Sequence, residues 1–234
     1  MSAVAHLNPD AVGAGFYTVR EAARLLQMGS SRQVRSWLAG HTHSGAGPVV
    51  KRQYEPIGDV HEVGFLDLME IRFVKHFRNQ KISLQTLRSI AANARKQLQQ
   101  DHPFATSNVK FMADRKEIFL YTAKETGDHY LLNLMTNQIE IYEALEQVLA
   151  KGVTFDPKSA VAKRFQPLPD CQNVIIDPRI AFGRPVIAPR FVPTESLFAL
   201  WKAEDGNYRV VADWYHVSRE AAEEAIEFEL RLAA

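Results

Sequence analysis

Apolar residues return every three or four positions through much of the first hundred residues, the period of an amphipathic helix. Val19, Ala22, Ala23 and Leu26 share one face, and Thr18 with Glu21 has capping-box spacing, so a helix is predicted from Val19. Met28-Gly29-Ser30 breaks it. Ser30 or Ser31 then caps a short second helix whose inward positions are Val34, Trp37 and Leu38. Arg32, Gln33, Arg35 and Ser36 are left outward. A Gly-rich loop follows through residue 48, and Val49-Val50-Lys51-Arg52-Gln53-Tyr54 is β-leaning and basic, as a hairpin wing would be. A third helix covers Phe65–Phe77, with Leu66, Met69, Phe73 and Phe77 in step. Ser83 caps a fourth, where Leu84, Leu87, Ala91, Ala94 and Leu98 form a stripe suited to a seam between helices, here expected to join two copies of the chain.

Past Pro103 the period changes to two. Lys110–Tyr121 and Tyr130–Leu134 read as antiparallel strands, and a helix is expected over Gln138–Leu149. Residues 155–193 are rich in proline yet keep the apolar runs Val174-Ile175-Ile176 and Val186-Ile187. Pro185 and Pro189 bracket the second run and mark it as an edge strand or isolated pair. Helical periodicity returns in Glu195–Ala203, Tyr208–Tyr215 and Ser218–Leu232, with Ser218 capping the last. The expected fold is mainly α with small β elements. Its parts are a leader (1–15), a winged helix-turn-helix (16–100), a strand-and-helix middle (101–154), a Pro-rich connection (155–172) and a helical unit with short strands (173–234).

Charge sharpens this division. The net charge is only +1, but residues 1–100 hold 13 Lys/Arg against 7 Asp/Glu, and the remainder is acidic. A basic half suits a polyanion, and an acidic half does not. Between Tyr17 and Arg52, six cations face Glu21 alone. In a helix-turn-helix the second helix lies in the major groove, where its outward side chains meet base edges and phosphates. Arg32, Gln33 and Arg35 would read bases, Ser31 and Ser36 would reach phosphates, and Arg20, Lys51 and Arg52 would flank them.

Tyr17–Leu26, the wing, Phe65–Phe77 and Lys81–Arg88, in that order, resemble the MerR-type winged helix-turn-helix. Such regulators continue into one long dimer helix and an effector or metal site. Here the helix stops near Gln100, and Cys171 is the single cysteine, so metal sensing is disfavoured.

The most distinctive run is Ile176-Asp177-Pro178-Arg179-Ile180-Ala181-Phe182-Gly183-Arg184-Pro185-Val186-Ile187, followed by Arg190-Phe191-Val192-Pro193-Thr194 and the final helices. It resembles the small antitoxin domain of VapB-like proteins, although Ala188-Pro189-Arg190 stands where that family commonly has Gly-Thr-Arg. The resemblance implies a type II antitoxin that silences a PIN-type ribonuclease toxin and represses its own operon on double-stranded DNA. Arg179, Arg184 and Arg190 would pair with the nuclease's carboxylates, and Phe182 and Phe191 would anchor beside them. The last 41 residues carry nine acidic and four basic groups, so they are read as a protein-binding or dimerisation module.

The rival reading is a stand-alone regulator whose middle segment senses a small molecule. No enzyme is expected, because no Walker loop, nucleophile elbow or dinucleotide fingerprint is present. No cofactor or metal is expected either: His41, His43 and His61 lack a supporting ligand pattern. Met1–Phe16 has no basic and apolar leader, and no apolar run approaches membrane-spanning length, so a cytoplasmic protein with no membrane partner is expected.

Overall fold

A computed structural model describes residues 15–40, 45–55, 62–106, 109–129, 131–132 and 150–233. The fold is mainly α with small antiparallel sheets, as the periodicity predicts. The described residues divide into two compact units, one within Thr18–Lys163 and a second made of residues 15–17 with 164–233.

In the first unit, α1 (Val19–Leu25) begins at Thr18, whose hydroxyl accepts from the Glu21 N–H while Glu21 reaches back to the Thr18 N–H. Helix α2 (Ser31–Ala39) begins at Ser30, whose side chain accepts from the Arg32 N–H. The strand β1 (Tyr17–Thr18) pairs with β2 (Glu62–Val63). Helices α3 (Phe65–Asn79) and α4 (Leu84–Leu98) follow, the second capped by Ser83. Helix α5 (Val109–Thr126) packs along α4.

Helix α5 corrects the expectation of a strand over Lys110–Tyr121. Ile118, Phe119, Thr122 and Ala123 are buried, a helical spacing, and Phe119 joins a cluster with Phe73 and Phe77. Phe104, on a single 3-10 turn (Pro103–Ala105), stacks on Phe73 with ring centroids 3.7 Å apart. Tyr121, 54% exposed, is the outward side of the same helix. Leu131 and Leu132 are helical rather than extended, and the expected helix over Gln138–Leu149 lies outside the described residues.

The stripe on α4 is also reassigned. Leu87 and Ala91 are each 1% exposed within one chain, while Leu84 and Leu98 are half-buried. The period that suggested a seam between copies is that of a helix buried against α5 and the 3-10 turn of its own unit. The short ladder β3 (Val153–Phe155) with β4 (Ala162–Phe165) ends this part of the chain.

The second unit is built on three antiparallel strands, β5 (Val174–Ile175), β6 (Val186–Ile187) and β7 (Val192–Pro193). Val174 faces Ile187, and Ile187 faces Val192, so β6 is central rather than an edge. Pro185 and Pro189 lie just outside it, where they remove no ladder donor. Helices α6 (Thr194–Ala203), α7 (Tyr208–Tyr215) and α8 (Arg219–Ala233) complete the unit, with α8 packing on α6, α7, β5 and β6. Asn207 caps α7, and the Ser218 hydroxyl caps α8 as expected.

Gly15–Tyr17 belong to this unit too. The Phe16 N–H donates to the Phe182 carbonyl at 3.1 Å, and the Tyr17 hydroxyl donates to the Gly183 carbonyl at 2.8 Å. Gly183 has φ +84°, and a Cβ there would meet the Tyr17 hydroxyl oxygen at 2.4 Å. Gly183→Ala therefore combines left-handed backbone strain with a displaced hydrogen bond and should destabilise the protein by ~2–3 kcal/mol in urea titrations. Gly127→Ala is the control: φ is +67° but nothing lies within 4 Å, so backbone strain of ~1–2 kcal/mol is its whole effect. Equal losses for the two variants would remove the role given to Tyr17.

Candidate functional site

The α1–α2 pair is held by apolar residues that alternate with its cations. Ala22, Ala23, Leu25 and Leu26 are buried on α1, and Val34, Trp37 and Leu38 on α2. Packing that face turns Arg32, Gln33 and Arg35 to solvent, with Arg20 and Arg24 exposed on α1. Ser31 and Ser36 are half-buried, and the Ser36 hydroxyl donates to the Gln33 carbonyl, which keeps it on the helix.

The residues after α2 are not a hairpin wing. Among the described residues, 49–54 form no strand. Val49 and Val50 are buried, and both N–H groups donate to the Trp37 carbonyl. Lys51 Nζ lies 2.6 Å from Asp101, holding that carboxyl below its usual range, and Arg52 Nε donates to the Leu38 carbonyl at 3.1 Å. Of these two cations, expected on a wing, Arg52 is engaged with the backbone of α2, whereas Lys51 sits in an exposed ion pair of little net strength.

What fastens this segment is a buried polar cluster that pattern reading missed. Asp67 accepts from the Gln53 and Gly64 N–H groups, and Gln53 Oε1 accepts in turn from the Leu66 N–H. Glu70 accepts from the Phe104 N–H at 3.0 Å and lies 3.5 Å from Arg95, which also donates to the Val49 carbonyl. His102 Nδ1 is 3.7 Å from Asp67. Burial raises the Asp67 carboxyl to about 6 and Glu70 to about 7, and it lowers His102 to about 4. The only hint in the sequence is that Asp67 and Glu70 interrupt the apolar face of α3.

In the second unit the arginines around β6 divide into two kinds. Asp177 is fully buried, and Arg179 grips it through Nε (3.0 Å) and Nη2 (2.8 Å), with Arg164 Nη2 at 3.5 Å. Burial alone would raise this carboxyl, but the Arg179 side chain and backbone N–H hold it below its usual value. Arg179 is thus a structural clasp. Arg184 meets Glu195 at 2.6 Å in an exposed pair, an arrangement of little net strength. Arg190 donates through Nε to the His216 carbonyl at 3.2 Å and has no carboxylate partner among the described residues.

Two phenylalanines flank these arginines. Phe182 and Phe191 both hold φ +56°, in the left-handed region, and are 77% and 43% exposed. Glycine or asparagine suits such backbone better, so an exposed phenylalanine there serves neither backbone nor core.

Residues 174–228 match the family described as "Protein of unknown function (DUF433)". The C-terminal part of this chain is a DUF433 domain. The domain thus contains β5 to β7, both exposed phenylalanines and nearly all of the three final helices. No curated protein matches the chain. A solved structure, that of Rv2018 from Mycobacterium tuberculosis, is similar in fold, with a TM-score of 0.69 at 21% identity over 90% of this chain and 96% of that one. Among the described residues no helix is long and apolar enough to cross a membrane, and no group of three His, Cys, Asp or Glu is placed to hold a metal.

Proposed function

We propose that this chain is a type II antitoxin, without catalysis of its own, that binds operator DNA through α1–α2 and a PIN-type ribonuclease through its DUF433 domain. The observation that carries the DNA half is the outward face of α2. Three side chains able to donate to base edges, Arg32, Gln33 and Arg35, share exposure while Val34, Trp37 and Leu38 lock the helix from behind. The cytoplasm is the compartment where such a protein would work.

For the toxin half, the support is the order of residues from Asp177 to the last helix, together with Phe182 and Arg184 on one exposed stretch. An apolar anchor supplies binding energy, and a cation at its side steers an acidic partner. Arg184 can exchange Glu195 for a nuclease carboxylate at small loss, whereas Arg179 cannot leave Asp177 without reducing a buried carboxylate to the longer contact with Arg164.

Fluorescence anisotropy with a duplex from upstream of the gene tests the DNA half. Arg35→Ala should weaken binding by ~1–3 kcal/mol if it meets a base. Lys51→Ala should act less on DNA, because Lys51 lies off the outward face of α2 and can offer a phosphate contact but no base contact. Full affinity in a chain with Arg32, Gln33 and Arg35 all replaced by alanine would overturn the assignment. For the toxin half, the full chain should co-purify with a PIN-type ribonuclease from the same locus and slow its RNA cleavage. If it does neither, the antitoxin reading falls.

A further inference from the structure

The tip of the β6–β7 hairpin and the outer side of α7 form one face that the reading above leaves unused. The Arg190 Nε–His216 carbonyl bond joins the hairpin to the C-terminal end of α7. There, Val210, Asp213, Trp214 and His216 line a shallow depression. Trp214 is 70% exposed, in a helix whose Val211 and Ala212 are buried, so the indole is not needed for the core of the unit. Phe191, beside Arg190, adds a second exposed ring on strained backbone. An exposed indole lining a depression, with a further exposed ring next in sequence to Arg190, marks an interaction surface.

The charges decide what covers it. Arg190 has no carboxylate among the described residues. Asp213 lies in the depression itself, 76% exposed, with Arg209 at 3.8 Å, near the outer limit of an ion pair. A partner of one charge sign seated here would be opposed either by Asp213 or by Arg190. A copy of the same face would not, because a two-fold axis sets each residue i of one copy against j of the other and j against i. The guanidinium of one copy can then reach the carboxylate of the next, twice, around the paired indoles. We propose that this face is the interface between two copies of the chain, with Trp214 as its anchor and Arg190 opposite Asp213 as its polar register.

The inference rests on this face and not on the DNA reading. It also supplies what α4 does not, since Leu87 and Ala91 are buried within one chain. Arg190 and Phe191 then belong to self-association, and Phe182 with Arg184 remain for another partner.

Light scattering and sedimentation on the full chain test it. The wild type at micromolar concentration should weigh twice the 26.5 kDa of one chain. Trp214→Ala and Arg190→Asp should each weaken self-association by roughly tenfold or more, with unchanged circular dichroism because both side chains are exposed. Combining Arg190→Asp with Asp213→Arg should restore the dimer, a rescue that a merely structural role would not give. A monomeric wild type, a dimer undiminished in both single variants, or a double variant no better than Arg190→Asp would each overturn the proposal. So would a Trp214→Ala chain of unchanged mass that loses only its grip on an added PIN-type ribonuclease. Loss of promoter binding in Arg35→Ala with the dimer intact bears on the DNA reading alone.

Discussion

Trp37→Ala is expected to lose ~3–5 kcal/mol of stability, the usual range when a large buried aromatic is truncated. Trp37 is 4% exposed on α2, which packs on α1, and the N–H groups of the buried Val49 and Val50 both donate to its carbonyl. The cavity would therefore loosen both the helix pair and the residues that follow it. A whole domain is stable by only ~5–15 kcal/mol, so thermal melting followed by circular dichroism should show the first unit unfolding well below the wild type. Arg35→Ala should leave the same melt untouched, because Arg35 is exposed. If Trp37→Ala melts within ~1 kcal/mol of the wild type, the packing described for α1–α2 is wrong.

The second large effect depends on pH. Glu70 is 1% exposed, and burial raises its carboxyl from an ordinary 4.5 to about 7 against the lowering pull of Arg95 and the Phe104 N–H. The folded protein thus keeps a proton that the unfolded chain releases. That contribution to stability is fully present below pH 4.5 and is lost as pH rises through about 7, and it amounts to ~3 kcal/mol. Asp67, raised to about 6, acts in the same direction. His76 and His102 act oppositely. Burial lowers each from 6.5 to about 4, so their contribution is present above 6.5 and lost as pH falls through about 4. Between these limits the two slopes offset each other in the wild type.

Glu70→Gln removes one of them while keeping an oxygen for the Phe104 N–H. The stability of this variant relative to wild type should rise by ~3 kcal/mol between pH 4 and pH 8 in urea titrations. A difference that stays flat, or that falls, would refute the burial account of Glu70.

The helices at the two ends were legible because their signals are local. Thr18 with Glu21, Ser30, Ser83 and Ser218 cap where their side chains can reach their own helix, and the apolar spacing behind them is unambiguous. Residues 110–121 misled for a related reason. Phe111, Ile118, Phe119 and Tyr121 are strand-favouring types, but packing along α4 outweighs that preference. The basic segment at 49–54 was misread because its partners, Asp67, Arg95 and Asp101, are distant in sequence. The arginines of the DUF433 domain were visible as a group but not by role. Only contacts separate Arg179, clasped to a buried carboxylate, from Arg190, which has none.

Tyr17 and Gly183 are 166 positions apart, yet one hydrogen bond joins them within a single unit. Synthesis runs from the N-terminus at ~5–20 residues per second, so Tyr17 leaves the ribosome on the order of ten seconds before its acceptor exists. Residues 18–163 hold all four members of the Phe73–Phe77–Phe104–Phe119 cluster and can close that core during the interval. The unit that contains the earliest residues made is therefore the last to finish. A nascent chain stalled before Gly183 would carry Tyr17, 2% exposed in the finished protein, without its acceptor and next in sequence to an already folded unit, a species open to proteases and chaperones.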